Sequence, residues 1–190
     1  MVSALVILRD GKQVVSAEGE LPSDLKQLWV RDDETGRVIA GPLNGHASAV
    51  TTLDNSPDGG ILASGSLDST VSLWDTTTWQ SKGALECGAC VNCIRFSPTG
   101  PLGVATDEDI QIWDFNRRER LTHFNGHTEF NHGLNMSLTW TPDGTYLLSA
   151  GNEDDPVIRS WDTSTWTQAG YPLIGHDKDE DINDIILNPA

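Results

Sequence analysis

At 190 residues and 37% hydrophobic content, the chain can bury one real core and is neither collagen-like nor disordered. A formal net charge of −16 repels polyanions over most of the surface, so no nucleic acid or anionic membrane is expected as a partner. No apolar run approaches the roughly 20 residues of a membrane helix, and the three cysteines fall within seven residues instead of spreading into a disulfide framework, so a reducing cytoplasm or nucleus is expected.

In chain order, Arg9-Asp10-Gly11 is the first turn signal, followed by Ser16 and a divergent Leu28-Trp29-Val30, with a longer insertion between residues 18 and 27. Gly45-His46 opens a cleaner second period: short β-prone stretches at 50–53, 61–64 and 71–74, a weaker one near Ala84, and the turn Ser56-Pro57-Asp58-Gly59. The third period carries Ser97-Pro98-Thr99-Gly100 and Ile112-Trp113-Asp114, but Glu86-Cys87 replaces Gly-His. The fourth restores Gly126-His127, Thr141-Pro142-Asp143-Gly144 and Ser160-Trp161-Asp162, and Gly175-His176 with Asn188-Pro189 begins another. The turn prolines Pro57, Pro98, Pro142 and Pro189 are thus 41, 44 and 47 residues apart. Four short strands per period, with no helical periodicity, predict an all-β partial propeller of about four four-stranded antiparallel blades plus one extra inner strand. Residues 1–190 form one array, with blades at about 3–44, 45–85, 86–125 and 126–174 and the start of a fifth at 175–190.

Gly-His, Ser-Pro-Asp-Gly and Trp-Asp recurring in a fixed order resemble the WD-repeat (WD-40) β-propeller family, and the phrasing of the repeats resembles the long arrays of mushroom-forming fungi. The resemblance implies a buried hydrogen-bonded chain in each complete blade: His46, Ser64, Asp68 and Trp74 in the second, His127, Ser149, Asp155 and Trp161 in the fourth. The same residue types make a hydrolase triad, but an active site occurs once and this set repeats. In the third blade Ala105 falls at the serine position, the following turn is about two residues short, and only Asp107 and Trp113 survive. The first and third blades are therefore expected to rest mainly on apolar packing.

Cys87, Cys90 and Cys93 have the spacing of an iron–sulfur run, but Ser97 stands where the fourth cysteine belongs and closed zinc sites need four ligands. His123, His127 and His132 form a weaker cluster, with His127 already committed. With no phosphate-binding glycine loop or metalloprotease motif either, no cofactor, metal or catalytic residue is expected and the protein is read as no enzyme.

Strand order places the connection into each blade and its second turn at one end. There Asp107, Glu108, Asp109, Glu153, Asp154, Asp177, Asp179, Glu180 and Asp181 are candidate partner-binding residues for a basic protein surface or peptide. Trp79 and Trp166, each five residues past a Trp-Asp tryptophan, are either interface anchors or packing for their own outer strands. The expected function is a non-catalytic protein–protein interaction scaffold. The alternative is a truncated propeller remnant, or an accessory segment of a larger signalling protein, without a partner of its own. Open blade faces also suggest self-association that completes the propeller.

Overall fold

A computed structural model describes residues 2–18, 26–127, 135–152 and 154–174. All regular structure among them is strand. The first sheet is β1 (Val2–Ile7), β2 (Gln13–Glu18), β3 (Gln27–Asp32) and β4 (Val38–Asn44); the second is β5 (Val50–Asn55), β6 (Ile61–Ser66), β7 (Thr70–Asp75) and β8 (Ser81–Glu86). The third is β9 (Val91–Phe96), β10 (Leu102–Thr106), β11 (Ile110–Asp114) and β12 (Glu119–Phe124); the fourth is β13 (Asn135–Trp140), β14 (Tyr146–Gly151), β15 (Val157–Asp162), β16 (Thr167–Gln168) and β17 (Leu173–Ile174). The order within each sheet follows the chain, as expected of partial-propeller blades, with β17 pairing β15 beyond β16. The expected fifth-blade strand lies outside the described residues.

The turn signals act as local chemistry predicts. Asp58 accepts from the Ser56 hydroxyl (2.6 Å) and the Gly60 N–H (3.0 Å), and Asp143 accepts from the Thr141 hydroxyl (2.7 Å) and the Thr145 N–H (3.0 Å). The Thr141 hydroxyl and the Thr145 N–H hold the Asp143 carboxyl down at about 2. After β7, Asp75 accepts from the Thr77 and Thr78 N–H groups, and the latter, aided by Lys82, lowers its carboxyl to about 2. Asp114 and Asp162 form the same turns, which explains why aspartate follows Trp74, Trp113 and Trp161.

The chain divides into two compact units, Met1–Val91 and Asn92–Ala190. In the first, Val15, Ala17, Leu28 and Val30 of the first sheet pack on Val50, Leu53, Leu62 and Trp74 of the second. Hydrogen bonds that join these sheets include Ser3 Oγ to the Val50 carbonyl (2.7 Å) and Asn55 Nδ2 to the Ile7 carbonyl (3.1 Å). In the second unit, Ala105, Ile110 and Ile112 of the third sheet pack on Leu138, Trp140, Leu147 and Trp161 of the fourth. Each large aliphatic side chain so buried contributes about 1.5–3 kcal/mol, so a blade is held chiefly by its neighbour.

The outer strands are weaker. β15 pairs with Gln168, takes the Ala169 N–H on the Ser160 carbonyl (2.8 Å) and pairs again with Leu173 and Ile174, while residues 170–172, which include Gly170 and Pro172, intervene without pairing.

Candidate functional site

In the second sheet, β6 and β7 bring Ser64 and Trp74 to one face, and the loop before β5 delivers His46 to it. Trp74 Nε1 donates to Ser64 Oγ (3.0 Å), His46 Nε2 lies 2.8 Å from the same oxygen, and His46 Nδ1 lies 3.0 Å from Asp68 Oδ2. Because a carboxylate only accepts, Nδ1 carries the ring proton and Nε2 takes the serine hydroxyl. Burial alone would raise the Asp68 carboxyl, but the Thr70 hydroxyl, the Ala47 N–H and His46 outweigh it and hold it below its ordinary value. Glycine precedes His46 because the Trp74 ring lies over it: a Cβ on Gly45 would come within 2.7 Å of the indole.

The fourth sheet builds the same chain. Trp161 Nε1 donates to Ser149 Oγ (2.9 Å), His127 Nε2 lies 2.9 Å from that oxygen, and His127 Nδ1 lies 2.9 Å from Asp155 Oδ2. Arg159 adds an ion pair to Asp155. Burial, and then the Arg159 charge, push the His127 imidazole below its ordinary value despite Asp155. Ser64 and Ser149 are fully buried, and each hydroxyl already takes an indole N–H, so neither is presented to a substrate.

The third sheet does not rest on apolar packing alone. Trp113 Nε1 donates to Gln111 Oε1 (3.0 Å), Gln111 Nε2 donates to Asp109 Oδ1 (2.8 Å), and His123 Nδ1 lies 3.1 Å from Asp109 Oδ2. Asp107 is not in this chain; it accepts from Asn92 Nδ2 (2.9 Å). The serine position is also corrected. Ser64 pairs with Ser72, two residues before Trp74, whereas the residue opposite Gln111, two before Trp113, is Val104 and not Ala105. The two missing residues divide between the hairpins: Ser97 N–H closes the first turn on Pro101, where Ser56 N–H reaches Ile61, and the second turn is also one residue shorter.

A second correction concerns the first sheet. Trp74 pairs with Leu62 and Asp75 with Ile61; the corresponding pairs are Arg31 with Val14 and Asp32 with Gln13. Arg31, not Trp29, therefore stands at the tryptophan position, and Trp29 sits two residues earlier, opposite Ser16. Arg31 Nη1 donates to Ser16 Oγ (3.1 Å), as the indole does elsewhere, and Arg31 pairs with Glu18 through both nitrogens. The guanidinium lies 5.9 Å from the centre of the Trp29 ring. Asp32 with Thr35, which repeats the turn of Asp75 with Thr78, was the signal in the sequence that locates Arg31.

Cys93 is buried on β9 and Cys87 is buried before it, while Cys90 is half-exposed, and no group of three or more metal-ligating residues occurs among the described residues. Trp79 and Trp166 are half-buried, Trp79 against the core of the first unit and Trp166 beside Phe124 and Trp140. Among the acidic candidates, Glu108 and Asp154 are exposed and Asp107 and Asp109 half-buried. Glu153, Asp177, Asp179, Glu180 and Asp181 lie outside the described residues, as does His132.

The family model described as WD domain, G-beta repeat matches residues 37–75, 79–114 and 118–162, each match ending on the aspartate that follows a blade tryptophan. The chain is 32% identical over 135 residues to the small ribosomal subunit protein RACK1y of Oryza sativa subsp. japonica, covering 69% of this chain and 39% of that protein. Small ribosomal subunit protein RACK1 of Schizosaccharomyces pombe is 34% identical over 125 residues, 62% of this chain and 38% of its own. Nuclear distribution protein PAC1 of the fungus Arthroderma otae is 33% identical over 166 residues, 80% of this chain and 34% of its own. The chain thus spans well under half the length of the curated relatives it matches. With matches covering more than half of it, each ending at one of the aspartate-held turns described above, the chain belongs to the WD-repeat family.

Proposed function

We propose that residues 1–190 form one WD-repeat array serving as a non-catalytic scaffold that binds other proteins inside the cell. The observation that carries this reading is the internal use of two Ser/His/Asp sets: the second and fourth sheets spend these residues on their own tryptophans, leaving loops as the surface open to recognition. The relatives support the location, being named for a ribosomal subunit and for nuclear distribution.

The partner surface is assigned to the acidic second turns, through Asp107, Glu108 and Asp154, together with Glu153, Asp177, Asp179, Glu180 and Asp181. Asp109 is left out of the docking role because Gln111, Thr106 and His123 already occupy it. A basic peptide is the complementary partner for a chain of net charge −16. Titrating fluorescently labelled Lys/Arg-rich peptides at low and high salt tests this. Affinity should fall with salt and fall further in Glu108→Lys/Asp154→Lys; binding indifferent to salt and to both substitutions would sink the reading.

A further inference from the structure

A cavity of about 800 Å³, the size of a ligand pocket, opens between the first two sheets. Its walls are Leu8, Arg9, Asp10 and Gln13 around the β1–β2 turn, Ile39 on β4, Asp58 in the β5–β6 turn and Trp79 in the β7–β8 turn. These sheets already pack on each other, so the cavity needs no third sheet to form it. Trp79 supplies an aromatic surface. Its N–H donates to the Asp75 carbonyl (2.7 Å) at φ +57°, the left-handed place that Gly36 (φ +68°) fills in the same turn of the first sheet. A bulky residue is strained there. Trp166, held alike at φ +56°, is compensated by ring contacts with Phe124 (6.0 Å) and Trp140 (6.2 Å). Strand register puts Leu43 and Asn55 at the places of those two rings, and Trp79 meets no other aromatic ring among the described residues.

Two unused acceptors belong to the same walls. Gln13 Nε2 donates to Asp10 Oδ2 (3.2 Å), and because a carboxylate only accepts, this contact settles which end of the amide is nitrogen. The amide oxygen, Oε1, is buried and takes no hydrogen bond from any described residue, so a ligand that brings a donor relieves an unpaired group. Asp58 Oδ1 takes the Ser56 hydroxyl and the Gly60 N–H, which leaves Oδ2 for a ligand. Asp10 and Asp58 outnumber Arg9 in the lining, and the chain as a whole carries −16, so the complementary ligand is a cation.

We propose that the cavity takes an arginine side chain of a partner polypeptide, its guanidinium lying on the Trp79 indole and donating to Gln13 Oε1 and Asp58 Oδ2. A guanidinium offers five N–H groups in a fixed plane, stacks on aromatic faces and is weakly hydrated, whereas an ammonium is compact and strongly hydrated. Leu8 and Ile39 cover its methylene stem, and the volume left over admits the flanking backbone. Arg9, exposed at the rim, opposes the incoming charge and limits affinity.

The probe is a fluorescently labelled Gly-Gly-Arg-Gly-Gly peptide, amidated at its C-terminus, titrated into the full chain and read by anisotropy. It should bind about fivefold or more tighter than its lysine and citrulline counterparts. Gln13→Leu and Asp58→Asn should each weaken it by about fivefold. Trp79→Gly should weaken it by about tenfold with far-ultraviolet dichroism unchanged, since glycine suits φ +57°, and Trp79→Tyr, which keeps a ring, should stay within about threefold of wild type. Arg9→Gln should tighten binding by about twofold. The proposal rests on the scaffold reading only in supposing a polypeptide partner, so at high salt Glu108→Lys/Asp154→Lys should leave the pentapeptide's affinity unchanged. No binding of the arginine peptide, equal binding of the lysine or citrulline peptide, binding that survives both Gln13→Leu and Trp79→Gly, or loss of binding in Arg9→Gln would overturn it. If the pentapeptide fails while Lys/Arg-rich peptides still dock through Glu108 and Asp154, this site falls and the scaffold reading stands.

Discussion

The second sheet anchors its tryptophan on a serine across the hairpin, while the third anchors its own on a glutamine two residues back along the same strand. In the second sheet the chain continues inward to a histidine from the loop before β5; in the third it runs outward, through Asp109, to a histidine on the edge strand β12. What the two share is an acceptor for a buried indole N–H, because leaving that donor unpaired costs about 1–3 kcal/mol whichever residue supplies the oxygen. What differs is depth. His46 is buried and ties its sheet to the loop entering it, whereas His123 is largely exposed and ties only strands of its own sheet.

The deepest chain should break hardest. His127→Ala removes the partner of both Ser149 and Asp155 inside a buried cluster and should cost about 3 kcal/mol, read as a shift of the urea midpoint. Cys87→Ala, at the matching place in the third sheet, should cost under about 1 kcal/mol, since it removes one small buried group. Gln111→Leu strips the Trp113 indole of its acceptor and should cost about 2 kcal/mol, with faster hydrogen exchange in β10 and β11; a neutral result would mean the third sheet does rest on apolar packing.

The fourth sheet should also respond to acid. His127 titrates in the folded chain below its ordinary 6.5, so the unfolded chain binds the proton first. Stability from this group is therefore complete above about 6.5 and declines as pH falls through that value, by at most about 1.4 kcal/mol per pH unit. Melting of wild type and His127→Gln at about pH 7.5 and about pH 5.5, roughly one unit either side of 6.5, checks this: the variant should lose the dependence. The smallest effect is expected in the first sheet. The Arg31–Glu18 pair is about a quarter to a third exposed, so Arg31→Ala should cost about 1 kcal/mol or less.

The sequence by itself determined the repeat. Turns of the Ser-Pro-Asp-Gly kind and the aspartate after each tryptophan are hydrogen-bonded within a few residues, so their chemistry is legible without any partner. His46 with Ser64 and His127 with Ser149 could be named because Gly-His and a serine placed five residues after the turn glycine match the WD-repeat pattern, and the resemblance implies that the two pair. Tertiary structure alone decided where that spacing slips. Val104 rather than Ala105 faces Gln111 because a one-residue change in a turn sends every following side chain to the other face; Trp29 and Arg31 share a face, and cross-strand pairing alone puts Arg31 at the place from which the indole reaches its serine elsewhere. Tertiary structure likewise decided which apolar residues are covered. Leu5 and Leu53 hold the same place in their sheets, and only the neighbouring sheet makes one of them core and the other surface.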